Sequence, residues 1–215
     1  MIFGVHVPPE GRDFKEMKNI CLMVEGLGFD LFTITDHFMN MAKPDGSNQH
    51  PLECWSTLAG LAAVTSKIRL GPLVSCYYYR LPTVLAKMAT TVDIISNGRL
   101  IFGIGAGWHQ KEFEGFMGRF PSVKERMTGL EETIQICKSM FMNERTSFRG
   151  KLYHVENVLS SPLPVQRPLP IMVGGGGEKK TLRIAAKYAD ISHCAFNPSE
   201  EVLNQKLTAL RNHCK

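Results

Sequence analysis

Four short runs in this chain carry residue types that do chemistry, and each closes an apolar stretch. The first is Asp36-His37. An imidazole titrates near neutrality, so a histidine there can hydrogen-bond a hydride-accepting group or take a proton from an alcohol. The neighbouring carboxylate would orient it; the plainer reading is a helix-capping Asp beside a loop His. The second is Ser75-Cys76, followed by Tyr77-Tyr78-Tyr79-Arg80. A lone cysteine with no base near it in sequence is a weak nucleophile, and aromatic packing over a rim also accounts for the run. Gly103-x-Gly105-x-Gly107-Trp108 matches neither a dinucleotide fingerprint nor a Walker loop. Glycine there would let a flat ring approach the backbone, with Trp108 and His109 as walls. Finally, Gly174-Gly175-Gly176-Gly177 runs into Glu178-Lys179-Lys180-Thr181. Four freed backbone N–H groups and a helix start would gather one anion; a flexible loop is the alternative.

Other ionisable groups receive no chemistry. Glu112, Glu114 and Glu125 with Arg126 are assigned to solvated or salt-bridged faces. His6 is either a barrel-facing or a satisfied core histidine. His50, His154, His193 and His213 share no ligand spacing, so no metal site is expected.

The elements that must position these runs alternate. Strands are expected at 2–7, 30–35, 68–75, 99–105, 171–173 and 191–196. Helices are expected at 14–27, 55–65, 82–96, 124–141, 180–188 and 199–214, with apolar residues at helical spacing in 14–27 and 124–141. Residues 39–51 read as a polar loop. Residues 145–170, with an alternating stretch and four prolines after it, read as a hairpin and loop insertion. Nearly wholly apolar strands followed by helices imply parallel strands buried on both faces. A doubly wound nucleotide fold would carry its glycines after strand one, where Pro8-Pro9 stands; glycines after strands four and five favour a barrel. Six strands are visible where a complete barrel has eight.

Composition narrows the class. The net charge is +5 and the basic residues are scattered, which argues against a nucleic-acid footprint. No apolar run approaches the roughly 18 residues of a membrane span. The start of the chain shows no signal-peptide pattern. Six widely spaced cysteines read as reduced thiols of a cytoplasmic protein.

Taken together, Phe32-Thr33-Ile34-Thr35-Asp36-His37-Phe38, residues 65–75, Leu85-Ala86-Lys87-Met88-Ala89, residues 93–100, Gly103 to Trp108, Pro164-Val165-Gln166-Arg167-Pro168 and Ile171 to Gly177 resemble the bacterial-luciferase-like superfamily. The resemblance is to its branch using the deazaflavin coenzyme F420, and it extends over essentially the whole chain. It implies an α/β, TIM (β/α)8-type barrel, one domain over 1–215, with an insertion near 145–170 and without the last two βα units. It also implies an oxidoreductase moving a hydride between F420 and a small organic substrate. An FMN-dependent monooxygenase and a non-catalytic flavin-binding protein are the alternatives. By the same resemblance Asp36 and His37 contact coenzyme and substrate, with His37 the polar group at the reacting carbon. A bulge at a non-prolyl cis peptide maps to Ser75-Cys76. Backbone at Ala106 and Gly107 lies near the pyrimidine edge, beside Trp108. Gly175, Gly176 and Gly177, with Gly174 leading in, take the phosphate. Trp108 stands where some relatives have a Glu acid, which counts against a sugar-phosphate substrate. Exposed strand edges would favour a homodimer.

Overall fold

A computed structural model describes residues 2–41, 51–194 and 198–215. The expected polar loop therefore falls largely outside the described residues, as does the end of the sixth strand. The elements run β1 (Gly4–His6), α1 (Phe14–Gly26), β2 (Leu31–Ile34), α2 (Cys54–Val64), β3 (Arg69–Pro72), β4 (Ser75–Cys76) and α3 (Pro82–Ile95). They continue as β5 (Phe102–Gly105), α4 (Gln110–Met117), α5 (Val123–Met142), β6 (Arg145–Arg149) and β7 (His154–Leu159). Last come β8 (Ile171–Gly174), α6 (Thr181–Tyr188), β9 (Ile191–His193) and α7 (Glu200–His213).

Local chemistry sets the helix starts. Asp13 and Glu16 form a reciprocal capping box at α1. The Glu53 carboxylate accepts the N–H groups of Trp55 and Ser56 at α2. Pro82 stands in the first turn of α3, where its missing N–H costs nothing, and Ser122 and Ser199 cap α5 and α7.

The strands form a parallel arc in the order β1-β2-β3 and β4-β5-β8-β9. Phe32 lies beside Leu70 and Ile104 beside Val173, and a parallel bridge between Leu70 and Leu100 joins the two parts. This is the α/β fold expected, with parallel strands; among the described residues β9 and β1 do not pair. Phe32, Ile34, Leu70, Phe102, Ile104 and Val173 are fully buried in the strands. Met17, Leu58, Leu85, Leu130 and Ile134 bring the apolar stripes of α1, α2, α3 and α5 onto the same core. Arg99 locks α2 to this core by donating to the carbonyls of Ala62, Thr65 and Ile68.

Three details differ from the sequence expectation. The third strand is two strands, β3 and β4, and the non-prolyl cis peptide lies between them at Leu73–Val74 rather than at Ser75-Cys76. Helix α4 was not expected. The insertion, by contrast, carries the hairpin expected of it: β6 and β7 pair antiparallel, and buried Glu132 on α5 holds the turn by accepting the N–H groups of Lys151, Leu152 and Tyr153.

Candidate active site

The C-terminal ends of β2, β4, β5, β8 and β9 surround one cavity of about 670 Å³. That lies within the roughly 300–1,000 Å³ of typical cofactor and ligand sites. Asp36, His37, Ser75, Cys76, Ala106, Gly107, Trp108, Gly174, Gly175 and Gly176 all line it. Gly177 is not among the lining residues; its carbonyl accepts the Leu182 N–H at the start of α6.

The glycines of β5 and β8 are used for internal packing. A Cβ on Gly105 would meet Val74 at 2.7 Å, and one on Gly174 would meet Val74 at 2.8 Å. Val74, itself lining the cavity, is thus seated against both strands. Gly107 adopts φ +69°, a left-handed conformation that L side chains rarely take. Close packing and backbone conformation thus call for glycine at these positions, beside the ring approach expected from the sequence.

Asp36 is buried and does not orient His37. Its carboxylate accepts two hydrogen bonds from Arg80 (2.7 and 3.0 Å), one from the Ser75 hydroxyl (2.7 Å) and one from the Cys76 N–H (3.2 Å). Trp55 on α2 donates its indole N–H to the Ser75 oxygen at 3.0 Å. Arg80 also pairs with Glu53, the cap of α2. Asp36 and Ser75 therefore tie β4 to β2 and α2. Cys76 is an inert thiol, because burial pushes its pKa up.

The partner of His37 is Glu112 on α4, and this overturns the assignment of Glu112 to a solvated face. The Glu112 side chain is fully buried. Its Oε2 accepts from His37 Nδ1 (2.8 Å) and from the Tyr79 hydroxyl (2.6 Å). Its Oε1 accepts the N–H groups of Phe38 and Met39 (2.8 and 2.9 Å). Burial alone would pull the His37 pKa down, but the hydrogen bond and charge of Glu112 raise it overall. Glu112 stays below its ordinary value despite its own desolvation, chiefly through the hydrogen bond and charge of His37 and the Tyr79 hydroxyl. The sequence did hold one signal: Glu112 lies three residues after His109, on a helix carrying buried Phe113.

Glu125, as expected, pairs on the surface with Arg119. Arg126 does more: it lines the cavity, donates to the Gly107 carbonyl and stacks over Phe120 at 4.4 Å. Its Nε is buried with no hydrogen-bond partner among the described residues. Thr181, at the start of α6, lines the same cavity. The Gly175 N–H is taken by the His193 carbonyl at 2.8 Å, so the glycine loop has fewer free donors than the sequence implied. His193 lines the cavity as well. Among the described residues, no cluster of His, Cys, Asp and Glu could hold a metal ion.

A parallel α/β arc with a ligand-sized cavity at its strand C-termini is the geometry of barrel folds whose sites lie at that face. The chain belongs to the luciferase-like monooxygenase family, which matches residues 1–213. It is 27% identical over 206 residues to an F420-dependent glucose-6-phosphate dehydrogenase of Gordonia bronchialis, covering 95% of this chain and 60% of that protein. It is 30% identical over 224 residues to the pyrimidine monooxygenase RutA of Stutzerimonas stutzeri, covering 99% and 61%. Among solved structures, an F420-dependent secondary alcohol dehydrogenase bound to an F420-acetone adduct superimposes with TM-score 0.87 at 18% identity, covering 99% and 63%. The F420-dependent tetrahydromethanopterin reductase of Methanopyrus kandleri gives 0.84 at 22%, covering 99% and 60%. Both likenesses speak to the luciferase-like TIM-barrel fold. The chain spans about three fifths of the length of the curated relatives it matches.

Proposed function

We propose that this chain builds the coenzyme site of an oxidoreductase that moves a hydride between a deazaflavin of the F420 type and a small organic substrate. The observation that carries the reading is convergence. Segments at 36–37, 74–76, 105–108 and 174–176 meet on one cavity with an imidazole at its wall, and its lining residue Arg126 carries a buried guanidinium nitrogen with no hydrogen-bond partner among the described residues. The residues fit such a coenzyme. The volume is adequate, and the Arg126 guanidinium, whose Nε is an orphaned buried donor, Thr181 and the 174–176 loop line the side where a tail anion would sit. Val74, Ala106, Gly107 and Trp108 would hold the ring, and Arg126 with the glycine loop would hold the phosphate.

When bound, the coenzyme would supply the hydride-accepting carbon. His37 performs the proton work. With Nδ1 committed to Glu112, Nε2 is the atom left for a substrate oxygen. It accepts a proton when an alcohol is oxidised and donates one in the reverse direction. Asp36 and Arg80 hold the strand ends that bear the site.

An FMN-dependent monooxygenase is the second reading, favoured by the pyrimidine monooxygenase relative and by an FMN-bound fold neighbour, a Baeyer-Villiger monooxygenase. Fluorescence titration with F420 and with FMN separates the two: tighter F420 binding and F420 reduction by a secondary alcohol are expected. Preferential FMN binding with oxygen consumption would overturn the reading. His37→Ala should lower turnover by about a hundredfold or more while keeping coenzyme affinity. If wild type binds F420 and transfers no hydride to or from any alcohol, aldehyde or ketone, the non-catalytic binding role stands instead. Arg126→Ala should weaken coenzyme binding by about ten- to a hundredfold in the same titration, the worth of one charge-assisted hydrogen bond. We further assign the protein to the cytoplasm, since all six cysteines are unpaired thiols, and to a homodimer, which light scattering on the purified chain tests.

A further inference from the structure

We propose that Glu112 is a positioning residue that fixes His37 through one carboxylate oxygen, and that Tyr79, sharing that oxygen, weakens its hold. The inference rests on the reading of His37 as the proton-handling group, and it assigns how that group is set. Three elements converge to make the cluster. His37 follows β2, Tyr79 precedes α3, and Glu112 comes from α4, which lies beyond the end of β5. Oε2 takes both the imidazole and the phenol, while Oε1 is filled by two backbone N–H groups of the His37 loop. A buried carboxylate with four donors has one stable orientation. It therefore dictates that Nδ1 carries a proton and that Nε2 is the acceptor in the neutral ring.

The two neighbours of Oε2 compete. A phenol hydrogen bond stabilises the carboxylate charge and reduces what remains to hold the imidazolium. Removing the carboxylate charge should loosen the proton on His37; removing the phenol should tighten it. Among the described residues, four further groups stand near His37 or its carboxylate. Asp36 is tied to Arg80. Glu10, from the loop after β1, lines the same cavity and adds its charge. His109 Nδ1 stands 3.9 Å from Glu112 Oε2. The Trp108 ring meets His37 edge-on at 5.9 Å. None of these shares a hydrogen bond with the imidazole. In alcohol oxidation the substrate O–H proton goes to Nε2 and the C–H hydrogen leaves as hydride to the coenzyme, giving the carbonyl. The fraction of neutral His37 then sets the acid limb of the rate.

The test follows the His37 ring by NMR through a pH titration of the coenzyme-free protein, with kcat/KM against pH measured in parallel. Glu112→Gln should lower the His37 midpoint by about one pH unit or more, and Tyr79→Phe should raise it by several tenths. The acid limb of kcat/KM should move the same way in each variant. Tyr79→Phe keeps the ring packed between Phe38 and Phe113, so it reports even where Glu112→Gln folds poorly. A midpoint unmoved by either variant, or moved in the same direction by both, would overturn the proposal. The NMR arm reads out even if no coenzyme is reduced, an outcome that would count against the oxidoreductase reading alone.

Discussion

Two buried carboxylates near the cavity have opposite jobs. Asp36 is neutralised by Arg80 and holds strands together, while Glu112 acts on the imidazole. Removing either leaves charges or donors buried without partners. Asp36→Ala should therefore cost about 3–5 kcal/mol in urea unfolding, because Arg80 keeps only Glu53 as a partner while the Ser75 hydroxyl and the Cys76 N–H lose their acceptor. For the second carboxylate, pH gives the sharper test. His37, with a folded pKa raised above 6.5, contributes stability that is full below that value and lost as pH rises through the folded pKa. Glu112, with a folded pKa lowered below 4.5, contributes stability present above that value and lost as pH falls through the folded one. The stability gap between wild type and Glu112→Gln should then be widest between about pH 4.5 and 6.5 and narrow on the alkaline side. A gap that widens above pH 8 would show that the pair is not charged as described.

At the scale of elements, β5 shows why glycine spacing was easy to see and hard to interpret. A Cβ on Gly103 would sit 2.0 Å from the Pro72 carbonyl oxygen, a backbone atom that cannot swing away. Gly103→Ala should lower the thermal midpoint strongly or prevent folding. Gly115→Ala on α4, with nothing within 4 Å of the new atom, should instead stabilise by about 0.5–1 kcal/mol through helix propensity. Residue types alone do not distinguish the two glycines, because the neighbour of Gly103 arrives from a strand thirty-odd residues earlier. The long helices α1 and α5 were legible from their apolar spacing. Helix α4 was not, being eight residues long and dominated by charged and aromatic side chains. Splitting of the third strand was equally hidden, since β3 and β4 join different sheets only once their partners are in place.

Across the whole molecule, the barrel-type order of strands and helices and the convergence of the site loops could be read from sequence. Partners distant in the chain could not. Glu112 meets His37 across 75 residues and Arg80 meets Asp36 across 44. A carboxylate on a polar-looking helix gives no sign that it points inward. Stability is also unevenly distributed. Helix α3 is packed against both α2 and α5, whereas α7 has no buried residue. Hydrogen exchange should find α3 among the slowest amides and α7 among the fastest; equal protection would contradict this distribution. The chain has just two tryptophans, and they occupy opposite environments. Trp55 is 1% exposed, bonded to Ser75, while Trp108 is 65% exposed at the cavity lip. Intrinsic emission should consequently divide into a blue component from Trp55 and a red component from Trp108, the second shifting in position as well as intensity when a ring settles beside it. That gives the protein a built-in ratiometric gauge of occupancy needing no label.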